Sequence, residues 1–418
     1  MAESRLKLPR STVGAASRRQ AVAKGVPPSS MAGSALPERT TLFKSEPDGV
    51  TYRIPALLYV QSTSTFLAFA ERRRSPEHID AEYLVMRRGL YKNGYVEWEG
   101  CLRVDNATIP GFRTTNPCPV FEERNATLFL FFNCTKEGVS EGHQRRCGNQ
   151  TKLCFIESKD CGITWSPCRE LTEAVTNTFP KLATFSVGPG HGIQMQNGAL
   201  ILPAYAYVAK CMCLCIFPCC PKAKSFYLYS EDKGQTWRAS TGIGKFETLE
   251  CEVAEIVGED GKSMLYCNAR TTGNRRVEAM CFKVGGEFKC VEKSKKLSET
   301  RGGCEGSTLS FLGTETLGQD PAHWLLFSHP SKRGHADLGI YLNKFPEQSK
   351  SWSKPWVIYK GPSAYSDLAH CKDTDTFAIL LECGEKTEHD GVDFCLFTVQ
   401  DVLENIKKKK SFFAKFRK

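Results

Sequence analysis

One eight-residue pattern, S-x-D-x-G-x-T-W, occurs twice in this chain. It reads Ser158-Lys159-Asp160-Cys161-Gly162-Ile163-Thr164-Trp165 and again Ser230-Glu231-Asp232-Lys233-Gly234-Gln235-Thr236-Trp237. The copies start 72 residues apart, so they mark an internal repeat. Each copy carries turn chemistry. Asp bonds backbone amides further along the chain, and Gly accepts positive φ. Thr-Trp then re-enters a strand, with the indole as an apolar plug. A hairpin tip used twice points to a radially repeated β-sheet protein. The stretch 342–353, with Trp352 near its end, has the character of a degraded third copy.

The rest of the chain agrees with that reading. Tyr52–Val60, Thr65–Ala70, Thr127–Phe132, Leu153–Ser158, Ala199–Pro203, Ser225–Ser230, Met264–Arg270, Trp324–Ser328, Gly339–Leu342 and Phe394–Val399 read as short strands. Gly, Pro, Asn and Asp break them at short intervals, which is an all-β pattern. No amphipathic helix longer than three turns is legible outside the end of the chain. The propeller spans 41–402, about 360 residues; at four strands and roughly 50–60 residues per blade this makes six blades. Residues 1–40 read as a disordered basic extension, and 403–418 as a basic-aromatic tail.

Composition limits the function classes. Hydrophobic content of 41% and charge content of 24% are those of a soluble globular chain. No apolar run reaches the roughly 18 residues that span a bilayer. The first residues lack an apolar signal core; they read as a disordered tail, with a weak transit-peptide likeness as the alternative. The 20 cysteines are therefore expected mostly as free thiols, and the sequons at Asn106, Asn125, Asn133 and Asn149 as unused.

The net charge of +10 gathers at the ends. Lys407–Lys410, Phe412, Phe413, Lys415, Phe416, Arg417 and Lys418 interleave cations with rings, which suits an anionic membrane surface. A plain solvated tail stays open as the alternative. Nucleic acid is not expected, since no motif for it occurs. The run Cys211–Cys220 packs five cysteines among apolar residues. It has too little polarity for zinc. A buried strand and turn, or S-acylation of an exposed loop, are the remaining readings. Together the two segments predict peripheral membrane association, with the cytoplasm as the alternative location.

Several arginines stand in marked contexts. Tyr52-Arg53-Ile54-Pro55 puts Pro inside a strand, where it removes a ladder donor. Arg73 follows Phe69-Ala70-Glu71-Arg72, Arg270 follows Asn268-Ala269, and Arg333 lies two residues before His335. Arginines converging from different blades would grip a carboxylate with paired hydrogen bonds. Solvated surface pairs are the plain alternative for any one of them.

Tyr-Arg-Ile-Pro followed by the repeated boxes resembles the animal sialidases. The resemblance runs from about Thr41 to Val399. It includes Phe-Ala-Glu71-Arg-Arg73, Asn116-Pro-Cys-Pro119, Val187-Gly-Pro-Gly-His191, Pro203-Ala-Tyr205-Ala-Tyr207, Leu249-Glu250-Cys251, Asn268-Ala-Arg270, Asp337-Leu-Gly-Ile-Tyr341 and Ala364-Tyr365-Ser-Asp367-Leu368. Among the family's branches it looks most like the plasma-membrane ganglioside sialidases. The resemblance implies an exo-α-sialidase of retaining mechanism, acting on sialylated glycolipids and glycoproteins and needing no metal or other cofactor. It implies that Arg53, Arg73 and Arg270 hold the substrate carboxylate. Tyr205 and Tyr207 would line the glycerol and aglycone side. Glu71, Asn116 and Glu141 would contact substrate or orient the arginines. Tyr365 would be the nucleophile and Glu250 its paired carboxylate.

The chemistry supports those roles. Sialic acid carries a carboxylate on its anomeric carbon, which repels an anionic nucleophile. A neutral Tyr avoids this, with a neighbouring Glu to take its proton. Arginines would stabilise the charge developing in the transition state.

Two positions depart from the family pattern. The acid/base Asp is replaced by His78; Asp80 is the preferred substitute, with His78 itself the other candidate. The third clamp arginine is replaced by His335, with Arg333 just upstream. A catalytically weak or inactive sialoglycan-binding propeller is therefore the alternative function.

Overall fold

The computed structural model describes residues 36–209, 221–258, 261–313 and 322–414, with side chains placed up to Lys407. The Cys211–Cys220 run and most of the basic-aromatic tail lie outside the described side chains. The described strands form six antiparallel sheets of four or five strands each. Each sheet is one blade of a β-propeller.

Blades one to five each use consecutive strands. Their innermost strands are Thr51–Val60, Phe112–Glu122, Leu182–Val187, Cys251–Val257 and Ser307–Gly313. The sixth blade takes Ser363–Cys371, Thr376–Cys383 and Gly391–Thr398, and is completed by Arg39–Lys44 from the start of the chain. Pairing first and last strands closes the ring and leaves few open sheet edges. It also moves two boundaries: Arg39 and Thr40 belong to the propeller and not to the N-terminal extension. The helix Val399–Ala414 begins before the expected tail, and Val399, Leu403 and Ile406 pack on the core shared by the fifth and sixth blades.

The expected strands all occur, most of them longer. Thr127–Lys136 is buried at every position but the last, because blades stack face to face and cover both sides of the strand. The core is therefore divided between neighbouring blades. Phe66, Phe394, Leu57 and Leu380 fill one such gap; Phe131, Phe226 and Trp237 fill another.

Both boxes join the third and fourth strands of their blades, the second and the third. Asp160 Oδ1 accepts from Thr164 N at 2.8 Å, and Asp232 Oδ1 from Thr236 N at 2.8 Å. Gly162 N and Gly234 N each donate to the box serine at 2.8 Å. Gly234 has φ of 87°, and a Cβ there would lie 2.3 Å from the Phe129 ring. Trp352, in the stretch read as a third box, lies in the same connection of the fifth blade and donates its Nε1–H to Glu278 at 2.9 Å. Among the sequons, Asn133 is 1% exposed and bonds Phe185 and Val187, so it is a core residue.

Candidate active site

The reactive residues gather where inner strands leave their regular ladder. Ile54 and Asn116 both have positive φ, at 59° and 55°, and each precedes a proline. The registers shift between Arg53 and Ala56, between Thr115 and Cys118, and between Ser363 and Ser366. Such bulges free prolines from ladder pairing and re-aim neighbouring side chains. That is the local reason Arg53, Asn116 and Tyr365 face one central site from three blades.

At its centre Tyr365 Oη donates to Glu250 Oε1 at 2.8 Å. Arg270 Nη1 donates to the same Glu250 oxygen at 2.9 Å and to Tyr365 Oη at 3.0 Å. Burial and then the Glu250 charge push the Tyr365 phenol well above its usual pKa, against Arg270 and Arg53. The tyrosine is therefore neutral, with a base in contact.

Arg53 lies 5.5 Å from the Tyr365 ring centroid. It grips Glu382 with two bonds, Nε to Oε1 at 3.1 Å and Nη2 to Oε2 at 2.9 Å. Burial would raise the Glu382 pKa, but Arg53 outweighs it and holds the carboxyl below its usual range. Glu382 was not legible beforehand, since it sits inside an apolar strand. Arg73 is bound to Glu71 at 2.6 Å, and the other Glu71 oxygen accepts from Asn116 N at 2.6 Å. Glu71 thus locks an arginine and a bulged strand together.

Tyr205 and Tyr207 stand on the second strand of the third blade, rings edge to face at 6.3 Å. Glu141 begins the short helix Glu141–Cys147, capped by Ser140. Burial, then the Glu250 charge, raises its pKa, and Arg145 opposes this. Arg145 lies 4.3 Å over the Tyr207 ring. The Glu250 charge raises the pKa of all three.

At the first departure Asp80 and His78 share one loop. Asp80 is held within its own loop, bonded by Ser75 Oγ at 2.6 Å and Arg74 Nη2 at 3.3 Å. His78 opens the same turn and is exposed. Its pKa is lowered to about 4, by desolvation first; Glu71 opposes the drop and Arg73, Arg113 and Arg53 add to it. Arg333 is exposed, and among the described residues its side chain has no hydrogen bond or ion pair. His335 is half-buried, with Nδ1 3.3 Å from Glu388 and Nε2 buried without a partner.

Beneath the central pair lies a second polar layer. His191 Nδ1 is 2.7 Å from Asp367 Oδ1 and 3.7 Å from Glu252 Oε1. These three are the one group of metal-ligand type found among the described residues. Protein donors already fill it. Leu57 N reaches Asp367 Oδ2 at 2.7 Å, Thr308 N reaches Glu252 Oε2 at 2.8 Å, and His191 N reaches Glu252 Oε1 at 3.3 Å. Ser307 Oγ lies 2.6 Å from Glu252 and 2.9 Å from Asp367, yet has one hydrogen to give. One carboxyl must supply the other. Burial, then Asp367 and Glu305, drives the Glu252 pKa well up, so that proton rests on Glu252.

Residues 64–378 match the BNR repeat-like domain family. Sialidase-3 of Rattus norvegicus is 44% identical, covering 87% of this chain and 95% of that one. The chain belongs to the animal sialidases. Human Sialidase-3 is 42% identical over 88% of this chain and 94% of its own, and mouse Sialidase-2 is 38% identical over 90% and 99%. Among solved structures, the Hadza microbial sialidase Hz136 shares the fold at a TM-score of 0.67 and 21% identity, covering 85% of this chain and 67% of that one. A Trypanosoma rangeli sialidase in complex with 2,3-difluorosialic acid, described as a covalent intermediate, aligns at a TM-score of 0.63 and 17% identity, covering 91% of this chain and 60% of that one. This sialidase is accordingly a glycoside hydrolase built on a six-bladed propeller.

Proposed function

We propose that this sialidase releases terminal sialic acids from gangliosides and other sialoglycoconjugates by a retaining mechanism. The observation that carries the reading is the Tyr365–Glu250 contact at 2.8 Å, bridged by Arg270. Tyr365 Oη bonds to the anomeric carbon while its proton passes to Glu250 Oε1. The bond to the aglycone oxygen breaks, and that oxygen takes a proton from the acid side of the site. Water then attacks the anomeric carbon and gives its proton back to the acid side, and Tyr365 leaves with its own proton returned by Glu250. Arg53 and Arg270 are the carboxylate holders, with His335 in place of a third arginine. Arg73, Glu71 and Asn116 brace them. Tyr205, Tyr207 and Glu141 take the glycerol and aglycone side. His78 is the preferred proton carrier for the aglycone oxygen, over Asp80.

Hydrolysis of a fluorogenic sialoside by the purified chain tests this directly. Turnover that vanishes in Tyr365→Phe supports it, and turnover unaffected by that change refutes it. The second reading, a sialoglycan-binding propeller, is favoured by the two histidines. It predicts sialoside binding with no turnover by any preparation. For location, the reading is peripheral membrane association through the basic-aromatic tail and an S-acylated Cys211–Cys220 loop. Since Ile406 packs on the core shared by the fifth and sixth blades, the informative deletion starts at Lys407. That deletion with the loop cysteines replaced should move the protein to the soluble fraction. Unchanged membrane retention contradicts both signals.

A further inference from the structure

Two carboxylate oxygens beside the nucleophile have no partner among the described residues. Glu250 is 8% exposed and Glu305 3%. Glu250 spends Oε1 on Tyr365 and Arg270; its Oε2 is buried and bare. Glu305 spends Oε2 on Ser366 N at 3.0 Å; its Oε1 is buried and bare. Ser366 follows the nucleophile, so Glu305 already holds the backbone that presents Tyr365. The two glutamates enter neighbouring inner strands, two residues before Glu252 and Ser307.

Such oxygens are costly when ionised and unpaired. The charges that act on Glu305 come from Asp367 in the sixth blade, Glu250 and Glu252 in the fourth, and the Arg276 guanidinium. Arg276 is committed elsewhere, to Glu299 at 3.2 Å and to the Cys304 carbonyl at 2.6 Å. Among the described residues no cation makes an ion pair with Glu305. With Glu252 already neutral, the Asp367 and Glu250 carboxylates against one cation committed elsewhere leave a proton as the remaining compensation. Burial, the largest cause, acts the same way and drives the Glu305 pKa well up, with Asp367 and Glu250 adding to it. With Oε2 accepting from Ser366, that proton sits on Oε1.

We propose that Glu305 is a positioning residue for the Tyr365–Glu250 pair, a protonated carboxyl whose free Oε1–H serves the bare Oε2 of Glu250, directly or through one water. This rests on the sialidase reading above. The contact fixes the Glu250 carboxylate so that Oε1 faces the phenol. It also keeps a second negative charge away from a base that must accept a proton. Once Glu305 ionises, the hydrogen bond is lost and two carboxylates repel.

The test compares pH–rate profiles of wild type, Glu305→Ala and Glu305→Gln on an aryl sialoside. The alanine variant is expected to lose about tenfold or more in kcat, the scale of one hydrogen bond to a charged group, with KM within about twofold. The glutamine variant keeps an N–H donor and cannot ionise. It should recover most of that loss and carry the alkaline limb to higher pH. Superimposable profiles of wild type and Glu305→Gln overturn the proposal, as does a Gln variant no better than Ala when both melt like wild type. Absence of turnover by wild type would refute the sialidase reading instead. The proposal is then decided by infrared difference spectra at neutral pH. A neutral carboxylic acid C=O stretch present in wild type and missing in Glu305→Gln supports it; its presence in both, or in neither, overturns it.

Discussion

Two polar layers sit on the same strands, one above the other, and differ in what balances their charge. Tyr365 and Asp367 share the inner strand of the sixth blade, two residues apart; Glu250 and Glu252 are spaced alike at the fourth. A spacing of two keeps side chains on one side of a strand. In the upper layer arginines balance the acids, and a phenol remains free to react. In the lower layer backbone amides, Ser307, His191 and a bound proton do so, and every oxygen of Asp367 and Glu252 is occupied. The same residue types therefore make a reactive site above and a fastening below. The decisive difference is the partner set and not the composition.

The largest way to break this comparison is to remove the reacting group. Tyr365→Phe should lower kcat/KM about a thousandfold or more, with the thermal midpoint unchanged, because it deletes the nucleophile and its proton. Asp367→Ala, one layer down, should instead cost about 3–5 kcal/mol of stability, since it strips His191 and Ser307 of their common partner. Denaturant unfolding checks it. A stable, fully folded Asp367→Ala protein contradicts the fastening role.

Next come the arginines. Arg53→Lys should raise KM about tenfold or more, because an ammonium cannot make the bidentate grip on Glu382 that holds Arg53 in place. The pH profile sharpens the comparison at its acid edge. If His78 carries the proton, hydrolysis of an unactivated glycoside falls as pH rises through about 4. Asp80→Asn should leave that limb alone, and His78→Asn should remove it. Stability also falls with rising pH, through Glu252 and Glu305. Their native pKa values are raised, so the native state binds more protons than the unfolded chain above about 4.5. The stabilisation from each is full below that value and is lost as pH climbs through the raised one. Glu252→Gln should therefore gain on wild type in thermal midpoint as the buffer is made alkaline.

The smallest effects belong to the hairpin tips. Asp160→Ala or Asp232→Ala should each cost about 1–2 kcal/mol through lost turn hydrogen bonds, with kcat/KM unchanged. Activity loss without destabilisation would contradict their placement far from the chemistry.

These contrasts also explain what could be read in the sequence. The boxes exposed the propeller because their pattern is local and contained in eight residues. Tyr365, Glu250 and Arg270 were found through short strand motifs, and the fold brings them into contact as a set. Glu382 and Glu305 were missed because each is an isolated acid beside apolar residues, and its partner lies in another blade. Arg53 and Glu382 are 329 positions apart and meet only because the ring closes. The sequence favours Asp80 over His78 because a shift of the loop at Pro76 would bring a carboxyl into place without adding a cation beside the arginines. Ser75 and Arg74, neighbours of Asp80 in the same loop, hold its carboxylate there.

The most direct test of the central claim is covalent trapping. Treatment with a 2,3-difluorosialic acid, followed by peptide mass mapping, should place one sugar adduct on the peptide carrying Tyr365, and Tyr365→Phe should abolish it. An adduct on another residue, or sialoside turnover with no adduct at Tyr365, would contradict the assignment of the upper layer as the reacting one.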